Sequence, residues 1–186
     1  SGTAGSTNGA NTTARFSYPW ELATDSSGNI YVTDAGSHLI RKIDSNGTVT
    51  TIAGSGSAGS TDGQGTSASF STPRGIAVDS SGNVYVSDLN NHKIRRIDPS
   101  GYVTTLAGTG TAGSSNQGAS STFYSPSSLA LDSSNNLYVA DTNSKKIRKI
   151  SIPPEHSKVA LTLYNLDDET DDATVTLTSN DTGEAT

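Results

Sequence analysis

One segment is written three times in this chain: DSSGNIYVTD from Asp25, DSSGNVYVSD from Asp79 and DSSNNLYVAD from Asp132. The copies lie 54 and 53 residues apart, and the register runs well beyond them. It aligns Phe16, Phe70 and Phe123, which are all the phenylalanines of the chain. It aligns Pro19, Pro73 and Pro126, then Tyr31, Tyr85 and Tyr138, then Arg41, Arg95 and Arg148. A repeat of this period means that each copy is one supersecondary unit that buries its apolar faces on its neighbours. No other feature narrows the fold so far.

The second copy shows the unit whole: FSTPRGIAVDSSGNVYVSDLNNHKIRRIDPSGYVTTLAGTGTAGS. Four short segments rich in β-branched and aromatic residues read as strands: GIAVD (a), NVYVSD (b), KIRRID (c) and YVTTLAG (d). Turn residues separate them, SSGN between a and b and PSG between c and d. Gly28 and Gly82 fall where a positive φ is needed, and Asn135, which tolerates it best among non-glycine residues, replaces them in the third copy. A four-stranded antiparallel unit repeated at about 50 residues is a blade of a β-propeller. The fold class is all-β: three such blades, the last lacking its own strand d, plus a truncated β-rich segment.

The run P-x-G-I-A-V-D-S-S-G-N-V-Y-V-S-D-x-x-N-H-K-I-R-R-I resembles the NHL repeat. WD40 blades carry Gly-His and Trp-Asp pairs, and neither occurs here. The resemblance covers about residues 15–150. The third copy departs from it at Ser128, where the others have Glu21 and Gly75, and at Lys145, where they have His38 and His92. The resemblance implies a propeller, commonly six-bladed, used mostly for binding and occasionally for catalysis.

The blades are expected at about 15–68, 69–121 and 122–150. Residues 1–14 repeat the loop that follows strand d, so a strand d should precede Ser1; with no Met in the chain, this points to a piece of a longer protein. After KIRKIS comes IPPE, where paired prolines cannot continue a ladder. Residues 151–155 then read as a linker, and 156–186 as the start of a truncated sandwich-like domain that resembles bacterial surface repeats. Charge steps at the same place: residues 1–150 carry 11 basic and 10 acidic side chains, residues 151–186 one and eight. The expected partners of the outer blades are N-terminal blades of the same protein. Without them the two end blades expose faces whose burial would stabilise the fold by several kcal/mol at ~25 cal/mol per Å². Residues 1–186 alone should be marginal or self-associate.

Repeated positions build the blade; positions that differ are free to serve a ligand. Asp25, Ser27 and Asn29 alternate like a calcium loop, but no glycine stands at position 6 and no Glu at 12. They read as a hairpin turn. Asp34, Asp88 and Asp141 each precede an Arg by seven residues and read as structural b–c pairs. His38 and His92 read as loop polarity rather than zinc ligands, since Lys145 replaces them and His156 lies in the tail. The acidic run Asp167, Asp168, Glu169, Asp171 and Asp172 reads as a solvated loop in preference to a Ca²⁺ site. No metal or other cofactor is expected. Three sequons, at Asn11, Asn46 and Asn180, say little in so Ser/Thr-rich a chain.

The residues before strand a vary most: Trp20 and Glu21, Arg74 and Gly75, Ser127 and Ser128. In the propellers this chain resembles, they sit at the channel mouth, and the b–c loops, here with Asn90 and Asn143, share that face. The candidate ligand-binding residues are therefore Trp20, Glu21, Arg74, Ser127, Asn90 and Asn143; no residue is assigned to catalysis. The expected partner is a protein, peptide or glycan. Nucleic acid is not expected, because residues 1–150 are nearly neutral and no phosphate loop is present. Nor is membrane insertion, because no apolar run reaches ~18 residues. The absence of Cys and the Ser/Thr/Gly-rich loops point to an extracellular or cell-surface module. The alternative is a lyase or hydrolase whose channel metal site lies mainly in other blades.

Overall fold

The computed structural model describes residues 2–117 and 120–152, together with the backbone of two further strands, 159–165 and 173–177. Its first sheet holds β1 (Gly9–Ala10), β2 (Pro19–Thr24), β3 (Ile30–Asp34), β4 (Leu39–Ile43) and β5 (Thr48–Ala53), in the order β1-β5-β4-β3-β2. The second holds β6 (Gly63–Gln64), β7 (Pro73–Val78), β8 (Val84–Asp88), β9 (Lys93–Ile97) and β10 (Tyr102–Ala107), in the same order. Strands a to d are thus β2–β5 and β7–β10, paired antiparallel as successive hairpins. The loop before each blade adds a two-residue strand outside strand d, β1 on β5 and β6 on β10. The chain forms part of a β-propeller.

The third sheet has β11 (Pro126–Leu131), β12 (Asn136–Asp141) and β13 (Lys146–Ser151) as strands a to c. It has no copy of the strand-d sequence. In that place lies β14 (Val159–Asn165), paired antiparallel to β13, with β15 (Ala173–Leu177) beyond it. The register follows that of the other blades: Ile150 faces Leu163 as Ile43 faces Val49 and Ile97 faces Val103. An open edge of unpaired N–H and C=O groups accepts any strand of suitable length. The segment expected to open a separate sandwich-like domain thus contributes two strands to the third sheet. The acidic residues 167–169 and 171–172, His156 and Asn180 lie outside the described residues.

Apolar side chains pack between blades rather than within one. Tyr31, Ile40 and Ala53 of the first blade meet Ile76, Val84, Val86, Ile97 and Val103 of the second. Tyr85, Ile94 and Ala107 of the second meet Leu129, Leu137, Val139 and Ile150 of the third. This is why strand b reads as a compact apolar run: both of its faces are covered.

The a–b turn forms as its residues dictate. Asp25 Oδ1 accepts the N–H of Ser27 and of Asn29, and its Oδ2 accepts Asn29 Nδ2 and the Tyr31 hydroxyl. Asp79 and Asp132 make the same set. Gly28, Gly82 and Asn135 sit at φ 79°, 84° and 65°. The decapeptide is a turn, and its carboxylate is spent on the backbone.

The Asp–Arg pairs are structural and wholly buried. Arg41 Nη1 lies 3.1 Å from Asp34, Arg95 Nη1 2.8 Å from Asp88, and Arg148 Nη1 3.1 Å from Asp141, with no exposure on either side. Each guanidinium also donates to two loop carbonyls, Arg15 and Thr7, Ser69 and Thr61, or Thr122 and Ser115. Each lies over the blade's phenylalanine, 4.6–5.1 Å from the ring centroid. The second carboxylate oxygen takes the N–H of Ser17, Ser71 or Tyr124. One Asp, one Arg and one Phe per blade therefore tie the incoming loop to strands b and c. Burial raises the Asp34 and Asp88 carboxyls above their ordinary value, against the backbone N–H, side-chain and arginine contacts that lower them.

Candidate ligand-binding site

Strands β2, β7 and β11 adjoin one another as the inner strands of successive blades. Each follows a residue held in the left-handed region just before a proline: Tyr18, Thr72 and Ser125, at φ 52°, 54° and 56°. A residue before proline is steered away from helical backbone, so this conformation needs support from outside the strand. The previous blade supplies it. His38 Nδ1 accepts the N–H of Thr72 at 3.0 Å, and His92 Nδ1 accepts that of Ser125 at 3.1 Å. The two histidines are blade-to-blade clasps, not merely polar loop residues. The sequence signal was available: His recurs just where the next copy turns into strand a, and Lys145, which has no acceptor, ends the series.

A second clasp runs beneath it. Thr33 Oγ1 donates to the carbonyl of Arg74 at 2.6 Å, and Ser87 Oγ to that of Ser127 at 3.1 Å. The Ser87 hydroxyl also accepts Gly75 N–H at 2.6 Å. Gly75 is glycine for space: a Cβ there would lie 2.8 Å from the Ser127 carbonyl oxygen and 2.9 Å from Ser128 Cα. These contacts fix the backbone on which the variable side chains stand.

Three of the candidate residues come together on that backbone. The Arg74 guanidinium stacks 3.9 Å from the centroid of the Trp20 ring. Trp20 itself remains 58% exposed. Glu21 spans all three blades: its Oε2 accepts Ile76 N–H at 3.0 Å and its Oε1 the Ser128 hydroxyl at 2.8 Å. Both carboxylate oxygens are thereby engaged by the neighbouring blades. The Arg74 guanidinium forms no hydrogen bond or ion pair among the described residues, and its Nε is buried without a partner.

Ser127, Asn90 and Asn143 are placed differently. The Ser127 hydroxyl lies 2.6 Å from that of Thr142, within its own blade. Asn90 Nδ2 donates to Thr72 Oγ1, and Asn143 Nδ2 to Ser125 Oγ, so both brace the b–c loop against the start of strand a. Both of these asparagine contacts are exposed. Among the described residues no three His, Cys, Asp or Glu side chains gather into a metal-binding group.

The NHL repeat model matches at residues 16–43, 70–97 and 123–150. NHL repeat-containing protein 2 of Gallus gallus is 31% identical over 148 residues, covering 78% of this chain and 20% of that protein. A solved protein of unknown function from Bacteroides thetaiotaomicron superposes with a TM-score of 0.63 at 27% identity, over 76% of this chain and 36% of that one. An auxiliary nutrient binding protein from Bacteroides ovatus gives 0.61 at 25%, over 74% and 38%. The chain thus spans well under half of each. Every matched segment runs from the blade's phenylalanine to the end of strand c, the stretch that holds the turn, the Asp–Arg pair and the clasp. The body of this chain, residues 16–150, is an array of three NHL repeats that builds part of a β-propeller.

Proposed function

We propose that this chain is the ligand-binding part of an NHL propeller presented outside the cell or on its surface, and that Arg74 holds an acidic group of a protein, peptide or glycan ligand. The unpartnered Arg74 guanidinium, held flat by Trp20, carries the reading. Each of the three fully buried arginines is neutralised by an aspartate, whereas the half-buried Arg74 is held on Trp20 with no carboxylate paired to it among the described residues. A guanidinium stacked on one face keeps its fork of N–H donors free at the edge, the geometry that matches a carboxylate. Asn90, Asn143 and Ser127, on the second and third blades, add neutral hydrogen-bonding groups suited to recognition of a polar ligand. The extracellular placement is supported by the cysteine-free, Ser/Thr/Gly-rich loops and by likeness to a protein called nutrient binding.

The test is a screen of immobilised acidic and neutral glycans and peptides against the wild-type chain and two variants. Arg74→Ala should weaken binding of the acidic ligand about 10- to 100-fold, the worth of a charge-assisted pair. Trp20→Ala should weaken it less, by releasing the guanidinium from its stack, without unfolding the protein. Equal binding of acidic and neutral probes, or an unchanged affinity in Arg74→Ala, would refute the assignment.

A further inference from the structure

The N–H of Thr72 is held by a single lone pair. His38 Nδ1, on the loop between β3 and β4, accepts it at 3.0 Å. Thr72 sits at φ 54° just before Pro73, and Arg74 follows. The next seam repeats the arrangement ahead of Ser127: His92 Nδ1 accepts the N–H of Ser125, which sits at φ 56° before Pro126. A ring nitrogen that accepts carries no proton, so both imidazoles are neutral in these bonds, with their proton on Nε2. Each clasp thus comes from the preceding blade and holds the backbone two residues ahead of a candidate ligand-binding residue.

A proton added at Nδ1 turns that acceptor into a donor and sets N–H against N–H. The left-handed residue before proline then has a repulsive contact where it had support. Imidazole is the side chain whose ordinary titration falls between about pH 5 and 8. Around the first clasp stand Asp34 and Asp88, paired with Arg41 and Arg95, and burial raises both carboxyls. Glu21, engaged by Ile76 N–H and the Ser128 hydroxyl, and Arg74 on the Trp20 ring complete the set. At the second clasp the Tyr124 ring stands edge-on to His92, 5.7 Å between centroids, Lys93 follows in the chain, and Asp141 is paired with Arg148. Among the described residues neither histidine forms an ion pair, so no carboxylate is in place to hold a ring once it is charged.

We propose that His38 makes ligand binding at Arg74 acid-labile. Neutral, the ring fixes Thr72 and the backbone that carries Arg74; protonated, it releases that backbone and weakens the grip on the ligand. His92 does the same for Ser125 and Ser127. The clasp is present above the range in which imidazole gains its proton and is lost as pH falls through it. His38 is a positioning residue here, and the inference rests on the reading of Arg74 as the residue that holds an acidic group. Lys145 offers no acceptor at the same place, so the third blade has no such control.

The experiment compares the wild-type chain with His38→Asn between about pH 8 and 5. An asparagine Oδ1 reaches about as far from the backbone as Nδ1, accepts without titrating, and suits the left-handed backbone at this position, φ 57°. NMR follows the Thr72 amide, by chemical shift and by hydrogen exchange, and the ratio of exchange rates between the two chains cancels the intrinsic effect of pH. Binding is read with an oligo-aspartate peptide, whose carboxylates stay ionised over this range. From pH 8 to 5 the wild-type amide should lose about 3- to 10-fold in protection relative to His38→Asn, the worth of one hydrogen bond, and peptide affinity should fall by a similar extra factor. His38→Lys should bind at pH 8 as the wild type does at pH 5. A Thr72 amide that titrates alike in wild type and His38→Asn refutes the switch, whatever the peptide does. Affinity that falls equally in the two chains refutes its coupling to Arg74. Absence of peptide binding at every pH overturns the reading of Arg74 and the proposal with it, and the amide titration tells that failure apart from a failure of the clasp.

Discussion

Asp141→Ala removes one half of a pair in which neither side chain touches solvent. The Arg148 charge stays behind, with only the carbonyls of Thr122 and Ser115 and the face of Phe123 around it. The N–H of Tyr124 loses its acceptor as well. Stripping one partner from a buried pair costs about 3–5 kcal/mol. Domains have a margin of only ~5–15 kcal/mol, so most of the stability would go, and Tm should fall by roughly 6–20 °C for a chain of this size. The second blade provides the internal control. Arg95 also contacts Asp62, at 2.6 Å, a half-exposed carboxylate that has no counterpart beside Arg148. Asp88→Ala leaves that contact in place and should cost less than Asp141→Ala by about 1–2 kcal/mol, the net worth of a charge-assisted hydrogen bond. Urea denaturation followed by circular dichroism, with both variants at concentrations too low for association, measures the difference. Replacing Asp141 and Arg148 together by Leu and Met should not restore stability, because Tyr124 N–H and two carbonyls remain without partners. Equal losses in the two blades, or full recovery in the double variant, would refute the view that the pair acts as a many-point tie between loop and strands.

Gly75→Ala should destabilise by about 1–3 kcal/mol, because its Cβ meets the backbone of the third blade as well as the Ser87 hydroxyl; thermal melts read it directly. His92→Lys copies the third blade's residue into the second, removes the acceptor for Ser125 N–H, and should speed hydrogen exchange at that amide while leaving the Asp79 turn unchanged. The Asp25 and Asp132 carboxyls are held below their ordinary value, first by the Asn29 or Asn136 side chain. A carboxyl depressed on folding stabilises above its unfolded value near 3.8 and loses that contribution as pH falls through the folded value. Stability should therefore drop below about pH 4, and Asn29→Ala should shift the carbon-detected titration of Asp25 upward; an unmoved titration would remove the turn as its cause.

The repeat was legible because every blade must satisfy the same local conditions. A positive-φ turn calls for Gly28, Gly82 or Asn135; a strand covered on both faces calls for IYV, VYV or LYV; a loop tie calls for Asp, Arg and Phe at fixed spacing. Each of these is a requirement of one copy, so it recurs in the sequence. The candidate site was legible only in outline. Trp20, Glu21 and Arg74 were singled out because the copies disagree there, but the disagreement did not say which of them would touch. Glu21 reaches 107 positions along the chain to Ser128, and Arg74 leaves its own blade to lie on Trp20.

Pattern and turn chemistry act over a few residues, and from them the sequence alone determined the all-β class, the blade, the turn and the Asp–Arg spacing. Only the tertiary structure decided that the pair is wholly buried, that His38 and His92 clasp strained residues of the next blade, and that β14 fills the strand-d place in the third. Those outcomes depend on how blades are set against one another and on which backbone edges remain unpaired. They are properties of neighbours in space, and no 50-residue copy contains its own neighbour.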